Sequence, residues 1–313
     1  DKNSRPNYAI AIHGGAGVIK RSNMTAAEEA EYLKALNEAL TIGENILSKG
    51  GSSLEAVEKV IVYLEDCPLF NAGKGAVMTH EGKHELDASV MDGANLKAGA
   101  VGGVTIVKNP IRAALAVMNN SPHVMLAGCG AEQFAIEQGL DTVQNSYFFT
   151  QKRYDALQKA LQTEQKKTGM TTERTDWKYG TVGCVALDQN GNLAAGTSTG
   201  GMTNKRWGRL GDAPIIGAGT YANNASCAVS CTGHGEFFIR YAVAHDLAAR
   251  LEYLHEPLDI AADFIIHKKL KKVEGEGGLI AVDAQGNIAM PFNSDGMFRA
   301  AAKPGWREVG IYK

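Results

Sequence analysis

Two stretches of this chain, 95 residues apart, read alike. Residues 183–194 and 278–289 are each an apolar run, a D-x-x-G-N turn at Asp188 or Asp283, and a second apolar run. That pattern predicts a β-hairpin in both places. Helical periodicity occupies residues 236–251 and 257–270 between them. Strands, then helices, then strands does not build an alternating βαβ fold. The arrangement predicts an α+β protein in which two sheets lie sandwiched between helices.

The first half supplies the remaining elements. Residues 8–12 predict a strand entering a glycine-rich turn at His13-Gly14-Gly15-Ala16-Gly17. Thr25 and Glu28 form a capping-box start, followed by Leu33, Leu36, Leu40 and Leu47 at helical spacing. Ser53 is expected to cap a second helix carrying Leu54, Val57, Val60, Ile61 and Leu64. Strands are expected at 86–91 and 98–107, the second glycine-rich and hence closely covered. Pro110 suits the first turn of a helix to about 118, with a buried strand at 124–127 and a helix at 131–138. Residues 151–180 carry eleven charges in thirty, against 21% for the chain. After a helix near 154–161, residues 162–180 predict an exposed connector that ends abruptly at the strand beginning Gly180-Thr181-Val182.

Composition excludes several classes. A net charge of −2 offers no electrostatic footprint for nucleic acid. No apolar run approaches the ~18 residues of a membrane span. The 36 glycines lack a G-X-Y period, so they serve turns and close approaches. Cys67, Cys129, Cys184, Cys227 and Cys231 are an odd set without zinc-type spacing, expected to act as small buried hydrophobes. The other histidines, among them His84, are expected to be ordinary core or surface residues. The opening Asp1-Lys2-Asn3-Ser4, without methionine, suggests an exported, periplasmic mature chain, a cytoplasmic one being the alternative.

Five motifs carry possible chemistry. Gly196-Thr197-Ser198-Thr199-Gly200 matches the G-x-S-x-G elbow of serine hydrolases, although Gly200-Gly201 is a poor helix start. The glycines of 13–17 suit either an anion-binding nest or a tight turn. Gly180-Thr181, where a connector meets a strand, suits cleavage that would make Thr181 chain-terminal, so that its α-amine could take the hydroxyl proton. Thr199 lies one hairpin arm away, close enough to hydrogen-bond it. Arg209 and Asp212 form either a surface ion pair or a clamp for the carboxylate and ammonium of an amino acid. Thr232-Gly233-His234-Gly235-Glu236 ends a strand and opens a helix, where backbone N–H groups suit a developing oxyanion.

In order along the chain, HGGAG at 13–17, CPLFNAGKGAV at 67–77, HELDASVMDG at 84–93, SPHVML at 121–126, GTVG at 180–183, TSTGGMTNK at 197–205, GRLGDAPIIGAG at 208–219 and CTGHGE at 231–236 resemble the plant-type asparaginases, or isoaspartyl peptidases, of the N-terminal-nucleophile hydrolases. Glycosylasparaginases resemble a pattern with Asp before the nucleophile and without HGGAG. Taspase-like proteases carry a longer connector.

The resemblance implies a four-layer αββα sandwich, a single domain of residues 1–313. It implies self-cleavage between Gly180 and Thr181 into an α subunit, 1–180, and a β subunit, 181–313, which pair as (αβ)₂. Thr181 is then the nucleophile and Thr199 the hydroxyl that orients it. Arg209 and Asp212 hold the substrate's α-groups, Thr232 and the Gly233 amide form the oxyanion hole, Gly235 completes the substrate loop, and Asn71 lies nearby. Backbone carbonyls of Leu64, Glu65, Cys67, Phe70, Ala72 and Lys74 would hold a structural sodium ion, and no catalytic cofactor is implied. The implied substrates are asparagine and isoaspartyl dipeptides. A glycosylasparaginase-like amidase, or a binding protein of the same fold that never matures, are the alternatives.

Overall fold

The computed structural model describes residues 7–166 and 180–313. Residues 1–6, and 167–179 of the expected connector, lie outside the described residues. The strands are β1 (Ala9–Gly17), β2 (Leu86–Asp92), β3 (Ala98–Val104), β4 (Met125–Ala127), β5 (Val182–Leu187), β6 (Leu193–Thr199), β7 (Thr220–Ala222), β8 (Cys227–Gly233), β9 (Gly277–Asp283), β10 (Ile288–Ala289), β11 (Gly296–Lys303) and β12 (Trp306–Tyr312). The helices are α1 (Ala26–Ser48), α2 (Ser53–Asp66), α3 (Pro110–Asn120), α4 (Gly128–Glu137), α5 (Gln151–Lys166), α6 (Gly235–Arg240), α7 (Val243–Tyr253) and α8 (Leu258–Asp263), the last continuing as π-helical turns over Phe264–Leu270.

Eight strands form one sheet in the order β12-β11-β1-β5-β6-β2-β3-β4, and four form a second in the order β10-β9-β8-β7. Both expected hairpins are present as β5–β6 and β9–β10. Strand alternation sorts the side chains into layers. Ile10, Ile12, Val182 and Cys184 face outward and pack with Leu36, Leu40, Val57, Ile61 and Ile111 of α1, α2 and α3. The outward residues Cys227, Val229 and Leu279 of the small sheet pack under Phe238, Leu247 and Ile265. Between the sheets lie mostly small residues, Ala9, Ala11, Ala195, Ala228 and Ala301 with Val185 and Ile280. The result is the αββα sandwich. Gly99 illustrates the close cover expected of a glycine-rich strand, since a Cβ there would lie 2.0 Å from the Ala114 carbonyl oxygen of α3.

Several local expectations need correcting. Residues 13–17 are not a turn but the second half of β1, with a bulge between His13 and Gly15 where Gly15 takes φ 109°. β11 pairs with Gly15, Ala16 and Gly17, while β5 pairs with β1 as far as His13. Ser52 rather than Ser53 caps α2, its hydroxyl accepting the Glu55 N–H. Helix α5 runs on through residue 166, into the expected connector. The helix expected over 236–251 breaks at Ala242, which adopts φ 45°. Strand β4 is at the sheet edge and largely exposed rather than buried, and Cys129 is exposed.

Candidate active site

Position parity brings the threonines together. On β6, Thr197 and Thr199 point into the layer between the sheets and Ser198 points away from it. Thr232 on β8 points into the same layer, and Thr181 immediately precedes β5, which lies between β1 and β6. The Thr181 hydroxyl stands 3.1 Å from the Thr199 hydroxyl and 2.6 Å from the Gly180 carbonyl oxygen. Thr199 donates to that same oxygen at 3.1 Å, and Asn71 Nδ2 donates to it at 2.8 Å. Asn71 is itself fixed, donating to the Gly201 carbonyl and accepting from the Val77 N–H. Asn71 and Thr199 therefore both donate to one carbonyl, polarising its carbon beside the Thr181 hydroxyl. Gly180 is required by this crowding, because a Cβ there would lie 2.9 Å from Asn71 Cβ.

Ser198 does not sit on a strand-to-helix elbow. It is buried mid-strand and donates to Glu65 Oε1 at 2.7 Å, which ends the serine-hydrolase reading of 196–200. Burial raises the Glu65 pKa to about 8, and its other carboxyl oxygen has no hydrogen-bond partner among the described residues.

Arg209 and Asp212 are both withdrawn from solvent, so they are not a surface pair. Arg209 donates from Nε and Nη2 to the two carboxylate oxygens of Glu236, at 2.8 and 2.9 Å. Burial works against ionisation of Glu236, but hydrogen bonds from His234 and Arg209 outweigh it and hold the carboxyl well below the usual range. Glu236 thus takes the side edge of the guanidinium and leaves its end, Nη1 with the second Nη2 hydrogen, for another anion. Glycines clear that end: a Cβ on Gly211 would be 2.9 Å from Nη1, and one on Gly235 would be 2.9 Å from both Nη2 and Asp212 Oδ1. Burial, joined by the Glu236 and Asp87 charges, pushes the Asp212 pKa up to about 7. Its Oδ2 is buried and has no hydrogen-bond partner among the described residues. An ammonium group placed there would supply both the missing donor and the missing charge.

Thr232 is buried, and its hydroxyl accepts the Ala16 N–H at 3.2 Å. The neighbouring Gly15 abuts Thr181, a Cβ there falling 3.0 Å from the Thr181 nitrogen. The bulged end of β1 thus bridges Thr181 and Thr232. Gly233 follows with φ 148°, open only to glycine here because a Cβ would lie 2.4 Å from the Glu276 carbonyl oxygen.

At the end of α2, Leu64, Glu65, Phe70 and Ala72 are buried and Cys67 caps the helix. The Glu65 carbonyl already accepts the Lys74 N–H at 2.7 Å, closing the loop. Pro68 has no N–H to offer the Leu64 carbonyl, and the Pro68 and Phe70 carbonyl oxygens converge on Gly75.

Two residues of the site carried no separate reading from sequence. Glu236 was visible only as the last letter of CTGHGE. Asp87 is fully buried opposite Thr199, with Lys205 and Arg209 as its nearest compensating charges. A carboxylate between Leu86 and Ala88 in the buried strand β2 was the available signal.

Residues 6–311 match the family described as asparaginase. The isoaspartyl peptidases of Salmonella typhimurium and Escherichia coli are 52% and 51% identical to the chain over 308 residues, covering 97% of it and 98% and 96% of those proteins. The human isoaspartyl peptidase/L-asparaginase is 40% identical over 310 residues, covering 97% of the chain and 96% of that protein. The chain belongs to the asparaginase family.

Proposed function

We propose that this protein is an isoaspartyl peptidase/L-asparaginase that matures by cutting its own Gly180–Thr181 bond. The observation that carries the reading is the Gly180 carbonyl, gripped by Asn71 and Thr199 beside the Thr181 hydroxyl. Attack of that hydroxyl on the Gly180 carbon shifts the acyl group from nitrogen to oxygen. Water then hydrolyses the ester, releasing a Gly180 carboxylate and the free Thr181 amine.

The mature Thr181 uses that amine as base, and its Oγ1 attacks the side-chain carbonyl of an aspartyl group. The Thr232 hydroxyl and Gly233 amide receive the negative oxygen. Collapse expels ammonia from asparagine, or the next residue's amine from an isoaspartyl dipeptide, leaving a β-aspartyl ester that water hydrolyses. Throughout, the free end of Arg209 holds the substrate α-carboxylate and Asp212 the α-ammonium. Neither contact touches the leaving group, so both substrates fit one clamp. An (αβ)₂ assembly and a sodium ion on the 64–74 carbonyls belong to the same reading, and no catalytic step passes through the ion.

The purified protein should run on a denaturing gel as fragments of about 19 and about 14 kDa, apportioning 33.3 kDa by length, because Thr181 needs a free amine. Thr181→Ala should stay whole and release no aspartate from asparagine. A wild type that remains intact yet hydrolyses asparagine refutes the mechanism. An intact, inactive wild type supports a non-maturing binding protein instead, and cleavage of only a glycosylated asparagine supports the glycosylasparaginase alternative.

A further inference from the structure

A line of buried hydrogen bonds crosses the otherwise apolar layer between the sheets. It starts at the Thr181 carbonyl oxygen, 3.1 Å from His13 Nδ1, and continues from His13 Nε2 to Ser230 Oγ at 2.9 Å. Ser230 meets Thr197 at 2.7 Å, Thr197 meets Thr220 at 2.7 Å, and Thr220 meets Ser89 at 2.7 Å. Ser89 also donates to the Ala213 carbonyl at 2.6 Å, next to Asp212. His13, Ser89, Thr197, Thr220 and Ser230 are all fully buried. Their neighbours in the layer are chiefly alanine, valine and isoleucine.

The direction of the chain follows from one end. A carbonyl can only accept, so His13 Nδ1 carries the proton. Burial drives the ring's pKa down to about 3, so the imidazole is neutral and Nε2 must accept. Ser230 therefore donates to His13 and accepts from Thr197. At the far end the Ala213 carbonyl can only accept, so the single Ser89 hydrogen goes to it and the run directed at His13 does not extend that far. Hydrogen bonds aligned head to tail in a dry interior strengthen one another. Gly183 keeps the space for the first link, since a Cβ there would lie 2.0 Å from Ser230 Oγ and 2.3 Å from His13 Nε2.

We propose that His13 is a positioning residue for the reaction: its Nδ1–H holds the nucleophile's own backbone through the Thr181 carbonyl, and the hydroxyls of Ser230 and Thr197 behind it fix the imidazole tautomer. This rests on Thr181 being the nucleophile.

Two substitutions divide the imidazole between them. In His13→Asn the amide nitrogen can reach the Nδ1 position and keep the bond to Thr181. In His13→Gln the amide reaches the Nε2 position and keeps only the bond to Ser230. The expected result is that His13→Gln loses about 10²-fold in kcat per processed subunit, as for a nucleophile displaced by about an ångström, with KM for asparagine unchanged. His13→Asn should stay within about tenfold of wild type, having lost one ordinary hydrogen bond, and should self-cleave faster than His13→Gln. Equal losses in the two variants, a better Gln than Asn, or failure of both to self-cleave while folded would overturn the proposal. Nitrogen NMR of the wild-type His13 ring gives a check without substitution: a neutral ring protonated at Nδ1 supports it, and an Nε2–H tautomer overturns it. Activity surviving in Thr181→Ala would instead sink the underlying mechanism.

Discussion

Asp212→Asn should make the protein more stable and less active, with both effects traceable to one buried charge. In the folded protein burial lifts this carboxyl from 3.8 to about 7. Between pH ~4 and ~7 the folded state therefore holds a proton that the unfolded chain has already lost, so stability falls as pH rises through that window. Above it the cost is complete, and three pKa units correspond to about 4 kcal/mol. The amide's own burial takes back part of that, which makes 4 kcal/mol an upper bound on the gain. The comparison is cleanest in a Thr181→Ala parent, whose chain stays continuous. Melting temperatures of parent and double variant should nearly coincide at pH 4 and separate progressively towards pH 8.5, the Asn protein melting higher. Other carboxylates titrate equally in both proteins and cancel. In the proposed mechanism the same change would remove the partner of a buried ammonium, worth ~2–5 kcal/mol, or roughly 30- to 3,000-fold in kcat/KM for asparagine. An Asn variant that melts below its parent at pH 8.5, or one with near-normal asparagine kinetics, would refute the reasoning.

Arg209→Ala should lose a similar factor in asparagine turnover while self-cleavage, which involves no α-carboxylate, proceeds; Arg209→Lys should recover little, because an ammonium cannot serve Glu236 and a substrate carboxylate from one planar group. A gel time course beside kcat/KM measures both. Glu65→Gln should match the wild type near pH 4 and become progressively the more stable of the two as pH rises from about 4.5 to about 8, because the folded carboxyl keeps a proton that the unfolded chain has lost. Above pH 8 the gap in melting temperature should hold steady, and a gap that stays closed up to pH 8 would disprove a raised Glu65 pKa.

Local rules written in neighbouring residues were readable from sequence. Thr25 and Glu28 form the reciprocal capping box, and the two D-x-x-G-N turns close hairpins. Partners distant in the chain were not readable. Nothing in HGGAG tells a turn from a bulged strand until β11 pairs along it and β5 pairs with its His13. His13 was noticed only as the first letter of HGGAG and carried no role of its own, because that role depends on Ser230, 217 positions away. Glu236 escaped notice for a related reason. Arg209 and Asp212 are three residues apart and suggested each other, whereas folding brings the carboxylate from the next helix into the guanidinium's side edge. Motif resemblance pointed to the candidate reacting groups, while the groups that hold them became visible only with the sheet order.

That sheet order has a consequence for the protein's life after a cut at Gly180–Thr181. Reading across the large sheet, β12 and β11 belong to the second fragment, β1 to the first, β5 and β6 to the second, and β2, β3 and β4 to the first. The two polypeptides would be interleaved, meeting along three seams rather than one. Losing the covalent tie removes no strand pairing, so the pieces would stay together without any dedicated interface. Denaturation changes the situation, because reassembly then requires two separate chains to find each other and thread alternate strands in register. A precursor folds in a unimolecular process, but its mature form would regain structure only in a concentration-dependent one. The native state of the cut protein would thus be protected by the height of the barrier to leaving it.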